Sequence, residues 1–493
     1  MGGFLPPSIT LTMILSASRT RDVSAPHWPG GFRAYTRLHC AFLALYATLG
    51  RGFAYAGVSP FYVSEFLFLA GLAATASTQR LHLLVRTRIG VLMLVFAAWQ
   101  MFCTVPYLTT YRVDTPRDAS VWGYGAFAWI VAALVLRLDG MIEAAVRWFG
   151  TFAGWYVFLG PVCALATQYY FAVLPSWPGT SVTIPNLKCG DLCLHLAGIT
   201  AFLLSGVASR KYWWLLPIAA GIIAGGAVNR GGLLAFGISI TIATAMTLRP
   251  ERVFAAGFAV TSLIVLLLVF DPQIPIPGRD DRRISATQVL DNLSSIGNDS
   301  EDIGGTKRWR LNWWDQIIGY TVYGDYFWTG KGYGINLAAS DHVTADATLR
   351  SPHNSHLTLL ARSGVPGFLL WVVVQVGWLA TMLAAFVRAR VLGMRAWSSL
   401  FCWLIAYWAA FMTDAAFDVA LEGPMLAIPF WSVVGFGWGS TILFRRRTRT
   451  KRSKSRVPYK ARERYALAIG LEPLAEGDRE KESGEGLPAG TLP

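Results

Sequence analysis

Residues 364–387 read GVPGFLLWVVVQVGWLATMLAAFV, a run with no charged side chain. As a helix rising about 1.5 Å per residue it reaches about 36 Å, enough to cross a hydrocarbon core of about 30 Å. Inside lipid every backbone amide must be paired within its own segment or in a closed barrel, and the run lacks the period-two alternation of a barrel strand. It therefore reads as a membrane-spanning helix. Working outward, similar runs occur near 40–57, 61–77, 89–108, 121–136, 148–172, 192–208, 213–229, 232–248, 253–270, 397–413 and 425–444. The expected architecture is all-α and polytopic, with about twelve transmembrane helices and one large polar loop containing short helices. Composition agrees: 54% of the 493 residues are hydrophobic and only 15% charged, against the usual quarter in a soluble domain.

The formal charge of +14 would suggest nucleic acid in a soluble protein. Here cytoplasmic loops that collect Lys and Arg explain it, and no nucleic-acid partner is expected. With the N-terminus inside, the inner connections hold Arg80, Arg86 and Arg88, then Arg137 and Arg147, Arg210 and Lys211, Arg249 and Arg252, and Arg388, Arg390 and Arg395. The tail opens with Arg445, Arg446 and Arg447. An even helix number and this bias put both termini in the cytoplasm, and the chain reads as an inner-membrane protein. Organisation follows: a cytoplasmic segment at 1–39, nine helices over 40–270, a periplasmic loop at 271–363, three helices over 364–444, and a basic then polar tail at 445–493. Beyond Tyr459 the tail reads as disordered. The first 18 residues lack a basic leading region, so no cleaved signal peptide is expected. Cys189 and Cys193, four apart on a helix, are poorly placed for a disulfide. No zinc pattern appears; neither metal nor cofactor is expected.

A loop as long as 271–363 is usually functional. Asp271 to Asp302 reads as partly mobile, and the alternating Trp and Arg from Thr306 to Gln316 suit an interfacial helix. The loop holds Arg308, Arg310, Trp314, Gly330-Lys331-Gly332-Tyr333-Gly334, Arg350, and Ser351-Pro352-His353-Asn354. An imidazole takes up a proton near neutral pH, which makes His353 a candidate general base; the bland alternative is a histidine capping the tenth span. The glycine run reads either as a phosphate cradle or as a tight turn, the turn being favoured. Arg230, in Asn229-Arg230-Gly231-Gly232, lies between apolar helices on the outer side, where a guanidinium needs an anion or a polar cavity. Arg51 raises the same question, whereas Arg112 and Arg117 read as snorkelling residues. Arginines converging on one cavity would suit a diphosphate, whose oxygens accept bidentate guanidinium bonds. Lys188, Asp191 and His195 share one helix face and either line that cavity or pair with one another. His342 and His356 read as ordinary loop and helix-end residues. Asp414, Asp418 and Glu422 at the outer rim either bind an acceptor sugar, balance the arginines or form a solvated face, the solvated face being favoured.

Ser351-Pro352-His353-Asn354, followed by Gly364-Val365-Pro366-Gly367, resembles the His-Asn…Gly-x-x-Gly motif of bacterial O-antigen ligases and related polymerases. Asn229-Arg230-Gly231 resembles that family's Ser-Arg-Gly element, with Asn in place of the commoner Ser. Arg310-x-x-x-Trp314 with Gly330-x-Gly-x-Gly334 resembles its Arg…Trp…Gly-x-Gly segment. The motifs cover about residues 215–375. The resemblance implies a metal-independent membrane-embedded glycosyltransferase, GT-C-like in fold. Such an enzyme passes a glycan from undecaprenyl diphosphate to an acceptor hydroxyl, lipid A-core for a ligase. It also implies that His353 deprotonates the acceptor and Arg230 holds the diphosphate, helped by Arg310 or Arg308. Asn354, Arg51, Arg350, Lys188 and His195 are further candidates for substrate contact, and membrane lipids are expected neighbours. A chain polymerase or a protein O-glycosyltransferase shares these motifs. A polysaccharide or lipid transporter is the rival class, but such proteins often carry repeated halves and mid-membrane charge, and neither is evident.

Overall fold

The computed structural model describes residues 28–58, 61–78, 80–207, 214–247, 257, 274–276, 279–285, 288, 304–344 and 349–455. Its principal helices are α1 (Gly30–Leu49), α2 (Val63–Ala76), α3 (Arg88–Thr104), α4 (Asp114–Gly123), α5 (Ala126–Arg137), α6 (Met141–Tyr169) and α7 (Cys189–Ser205). Then come α8 (Leu215–Gly226), α9 (Arg230–Thr247), α10 (Gly304–Val322), α11 (Ser355–Val391), α12 (Arg395–Ala415) and α13 (Pro424–Ser455). Two short antiparallel hairpins complete the pattern, one pairing Gly57 with Tyr62 and one pairing Ile274 with Ile284. The chain forms two compact units, 1–442 and 443–493; the described part of the second is the helical end of α13.

Among the described residues six helices are long and apolar enough to cross a membrane, or seven if α4 and α5, bent by 42°, count as one span. The protein is thus a multi-pass helical membrane protein, but twelve crossings are not met by this measure. For three of the expected spans the reason is length. Helices overlie the expected positions, yet α2, α7 and α8 have only 14, 17 and 12 residues, where a crossing needs about 20. Apolar composition continues into the turns that flank these helices, so the runs look longer than the helices they contain. The span expected at 253–270 lies, residue 257 apart, outside the described residues, as do the first 27 residues and the tail beyond 455.

Helix α7 is the pivot of the bundle. Every residue from Cys189 to Phe202 is buried, because α9 and α12 pack along it and α6 and α8 close its other side. Tyr156, Leu192, Leu196, Ile199, Ile218 and Ile222 form one core there. The tight seams use small residues, as helix pairs in lipid do: a methyl group on Gly198 would meet the ring of Tyr407, and Trp403 Nε1 donates to the Gly198 carbonyl at 3.1 Å. A second core lies in the polar region. Trp313 and Ile317 of α10, Leu337 and Ala338, and Leu360 and Ala361 of α11 pack together, anchoring α10 against the first turns of α11.

Candidate functional site

His353 is held by its neighbours on both sides. The Pro352 carbonyl accepts Trp314 Nε1 at 2.9 Å. Asn354 is the N-cap of α11, its side-chain oxygen accepting the amides of His356 at 3.0 Å and Leu357 at 3.1 Å, which satisfies two donors the helix start leaves open. Between these fixed points His353 takes a left-handed backbone, φ +51°, a conformation that costs on the order of 1 kcal/mol or more outside glycine. Its side chain stays 29% exposed, beside Trp309 with ring centroids 6.4 Å apart.

The imidazole faces a carboxylate. His353 Nδ1 is 3.4 Å from Asp418 Oδ1, at the long end of the hydrogen-bond range. Asp418 also accepts Lys188 Nζ at 3.0 Å and the Val419 amide at 2.8 Å. Burial alone would raise its pKa, but the His353 hydrogen bond, the Lys188 charge and the Val419 amide together hold it well below the usual carboxylate range. Lys188 is the mirror case: burial pulls it down, while Asp418 and then Asp191 carry it above the ordinary lysine value. With Asp418 ionised, the proton of a neutral His353 sits on Nδ1 and the lone pair on Nε2.

Arg310 and the start of α9, which bears Arg230, meet the same loop. Arg310 Nη1 donates to the Phe417 carbonyl at 3.0 Å, one residue before Asp418. Arg310 and Trp314 lie four apart on α10, hence on one helix face, which brings both to the 352–353 and 417–418 segments. Burial lowers the Arg310 pKa and Asp418 partly offsets this. Arg308 is exposed. Arg230 opens α9; the preceding Asn229 caps it, its Oδ1 accepting the Gly232 amide at 2.8 Å, so the departure from Ser keeps the capping chemistry. A methyl group on Gly231 would come within 2.9 Å of Phe417 Cβ, and one on Gly232 within 2.9 Å of Gly190 Cα. The start of α9 therefore sits against the Phe417–Asp418 loop and against the start of α7 that bears Lys188. Arg230 and His353 belong to one end of the bundle.

The glycine run is a turn. Helix α11 breaks at Gly364, φ +68°, leaving the carbonyls before it without intrahelical donors. The Lys331 amide bonds Ala361 O at 2.7 Å and the Gly332 amide bonds Arg362 O at 3.1 Å, while Trp99 Nε1 bonds Ser363 O at 3.0 Å. Beyond the break the Val365 amide donates to Phe327 O at 2.7 Å, and Pro366 sits in the first turn, where its missing N–H costs nothing. The two glycine motifs are thus one device, a distant turn capping a broken helix. Lys331 is spent on Asp341 and Ser340.

Several expectations need correcting. Arg350 is engaged within the protein: it pairs with Asp118 at 2.9 Å and Asp114 at 3.6 Å and donates to Gly334 O at 2.9 Å. The buried Arg362 shares Asp118 at 2.9 Å. Arg117 pairs with Asp114 at 3.1 Å. Arg51 is exposed and lies over its own Tyr55, donating to that hydroxyl at 3.1 Å. His195 diverges from Lys188: it is buried in the bundle, Nδ1 2.8 Å from the Tyr407 hydroxyl, beside Tyr156 and Phe411. His356 is a helix residue, bonded to Met412 O and Trp371 Nε1, and His342 is an exposed loop residue. The largest revision concerns the supposed solvated rim. Asp414 is buried, Asp418 holds the imidazole and the ammonium, and Glu422 accepts Thr358 Oγ1 at 2.8 Å, its pKa raised by burial against the Ser351 and Thr358 hydrogen bonds. None of the six cysteines forms a disulfide. Among the described residues no group of three or more His, Cys, Asp or Glu side chains is placed to hold a metal ion.

The fold and site together define a multi-pass helical membrane protein that gathers a histidine, an aspartate, a lysine and arginines at one end of its bundle. Residues 215–372 match the family model described as O-antigen ligase, so the chain carries a domain of the O-antigen ligase family. That segment contains Arg230, Arg308, Arg310 and His353; Lys188 and Asp418 lie outside it. The domain supports glycosyl transfer of the O-antigen ligase or polymerase type. No curated protein matches the chain.

Proposed function

We propose that the protein transfers a glycan from undecaprenyl diphosphate to an acceptor hydroxyl at the periplasmic face of the inner membrane, in the first instance to lipid A-core. One observation carries the reading: His353, Arg310 and the start of α9 at Gly231 all meet the same two residues, Phe417 and Asp418. His353 Nε2 takes the acceptor proton as its oxygen bonds the sugar's anomeric carbon. The bond from that carbon to the diphosphate oxygen breaks, and lipid diphosphate leaves. Asp418 stabilises the imidazolium that forms, and Arg230 with Arg310 offsets charge developing on the leaving group in a low-dielectric site. The basic connections then face the cytoplasm with both termini. The donor's lipid tail would lie between helices, which accounts for a site at the bundle's rim.

Purified full-length protein incubated with a lipid-diphosphate glycan and lipid A-core, with products read by mass, tests this. Glycosylated lipid A-core is the expected product. Lengthened lipid-linked glycan instead would support the polymerase reading, for which the same domain speaks. Intact donor, merely moved across a vesicle bilayer, would refute transfer in favour of transport.

A further inference from the structure

Four helices that build the His353 end also meet at their opposite ends. Lys188 precedes α7 and Ser205 closes it; Arg230 opens α9 and Thr247 closes it. His353 precedes α11, whose last turn holds Arg390, and α12 runs from Arg395 to the loop that bears Asp418. The part of α11 beyond Gly364 is about 40 Å long, so these far ends lie at the other membrane face. There they line a cavity of about 510 Å³ with Ser205, Thr247, Arg390, Arg395, Ser398 and Ser399 among others, and among the described residues its wall holds no Asp or Glu.

We propose that this cavity binds a phosphate-bearing ligand, distinct from any substrate at the His353 end. A basic rim is common where loops collect arginine, but a rim of solvated arginines does not require a concave pocket that also presents hydroxyls. Among the described residues neither guanidinium has a carboxylate partner. Arg390 spends one donor on the Met246 carbonyl, at 3.4 Å, and lies over Phe386, which fixes it at the cavity with its remaining donors available. Arg395 opens α12, whose N-cap Met394 offers no side-chain acceptor, so the positive end of that helix adds to the field. Planar guanidinium forks with nearby hydroxyls suit phosphate oxygens. The phosphate is either the headgroup of an anionic lipid in the leaflet opposite His353 or a soluble phosphate compound on that side.

Native mass spectrometry of the full-length protein, re-lipidated with phosphatidylglycerol or phosphatidylcholine, tests the lipid source. Thermal melting of the delipidated protein with inorganic phosphate tests the soluble one. The wild type is expected to retain phosphatidylglycerol selectively, and the Arg390→Gln/Arg395→Gln variant to lose about tenfold in that retention. A Arg390→Lys/Arg395→Lys variant, which keeps the charge and serves if the glutamine variant does not fold, is expected to lose part of it. Stabilisation by inorganic phosphate that vanishes in the variants would also support the site, and would assign it to soluble phosphate. Equal retention of both lipids together with no response to phosphate, or ligand binding unchanged in the variants, would overturn the proposal.

Discussion

His353 Nδ1 lies 3.4 Å from Asp418 Oδ1, and the same carboxylate holds Lys188 Nζ at 3.0 Å. In the proposed transfer a base backed by an ionised carboxylate gains when the imidazole becomes charged, which would make Asp418 a positioning residue for His353. Asp418→Asn keeps shape and removes charge. A hydrogen bond to a charged group is worth about 1.5–3 kcal/mol, so kcat for glycan transfer should fall roughly ten- to a hundredfold with KM little changed. His353→Ala should cost more, about 10² to 10⁴, with membrane insertion intact. An Asp418→Asn enzyme with wild-type kcat would remove the carboxylate from the mechanism.

The Asp418–Lys188 pair sets a pH signature of stability. Asp418 has its folded pKa depressed. Its contribution is therefore complete above the unfolded carboxylate value of about 3.9 and is lost as pH falls from there through the folded value. Lys188 is raised, so its contribution is complete below the unfolded value of about 10.4 and fades as pH rises through the folded one. Melting in detergent should be insensitive to this pair between about pH 5 and 9. Asp418→Asn should flatten the acid limb, and an unchanged acid limb would contradict the pairing.

Arg308 and Arg310 looked interchangeable in sequence, but only Arg310 reaches the Phe417 carbonyl. Arg310→Ala should therefore reduce transfer by an order of magnitude or more, while Arg308→Ala, at an exposed position, should leave it within about twofold. Arg230→Lys should impair transfer despite keeping the charge, because an ammonium cannot reproduce the fork. Assays of all three variants with a lipid-diphosphate donor check the order; full activity in Arg230→Lys would argue against a clamp there.

What could be read beforehand follows from locality. Helix positions were legible because each apolar run carries its own signal, whereas the crossing number was not, since α8 and its flanks share one composition. Trp314, Asn354 and His353 were legible as a motif because their roles are set within a few residues of α10 and α11. Asp418 was missed because its partners stand 65 and 230 residues away, and an acidic loop at a helix end ordinarily faces water. Lys188 had a nearer candidate in Asp191, one turn along the same helix, which drew attention away from Asp418. The glycine run was ambiguous for the same reason, as its purpose lies in carbonyls of α11.

Asp118 offers a test of structure separate from catalysis. It is nearly buried and carries both Arg350 and Arg362, the latter only 2% exposed. Asp118→Ala leaves a buried guanidinium without its carboxylate, for which about 3 kcal/mol of destabilisation is expected. Arg350→Gln, whose side chain is partly solvated, should cost about 1 kcal/mol. Denaturation midpoints measure both. A donor-affinity defect in Arg350→Gln at unchanged stability would restore Arg350 to the substrate site.

Gly364 is where backbone geometry and site meet. Its φ of +68° is favourable only for glycine, and an added methyl would strike the carbonyls of Phe327 and Trp328. Those carbonyls belong to the segment whose Phe327 O receives the Val365 amide and whose following turn caps Ala361 and Arg362. Gly364→Ala must either strain the left-handed residue or push that turn away, exposing the capped carbonyls; together these should cost about 2–4 kcal/mol. Because the helix start at Asn354 is packed on the same core through Leu360 and Ala361, transfer should fall along with stability. Gly393→Ala is the control: it also has a positive φ, but nothing lies within 4 Å of its added methyl, so only the conformational part, about 1 kcal/mol, is expected. Equal melting temperatures for the two variants would show that the contact between the two glycine motifs does not support the helix break.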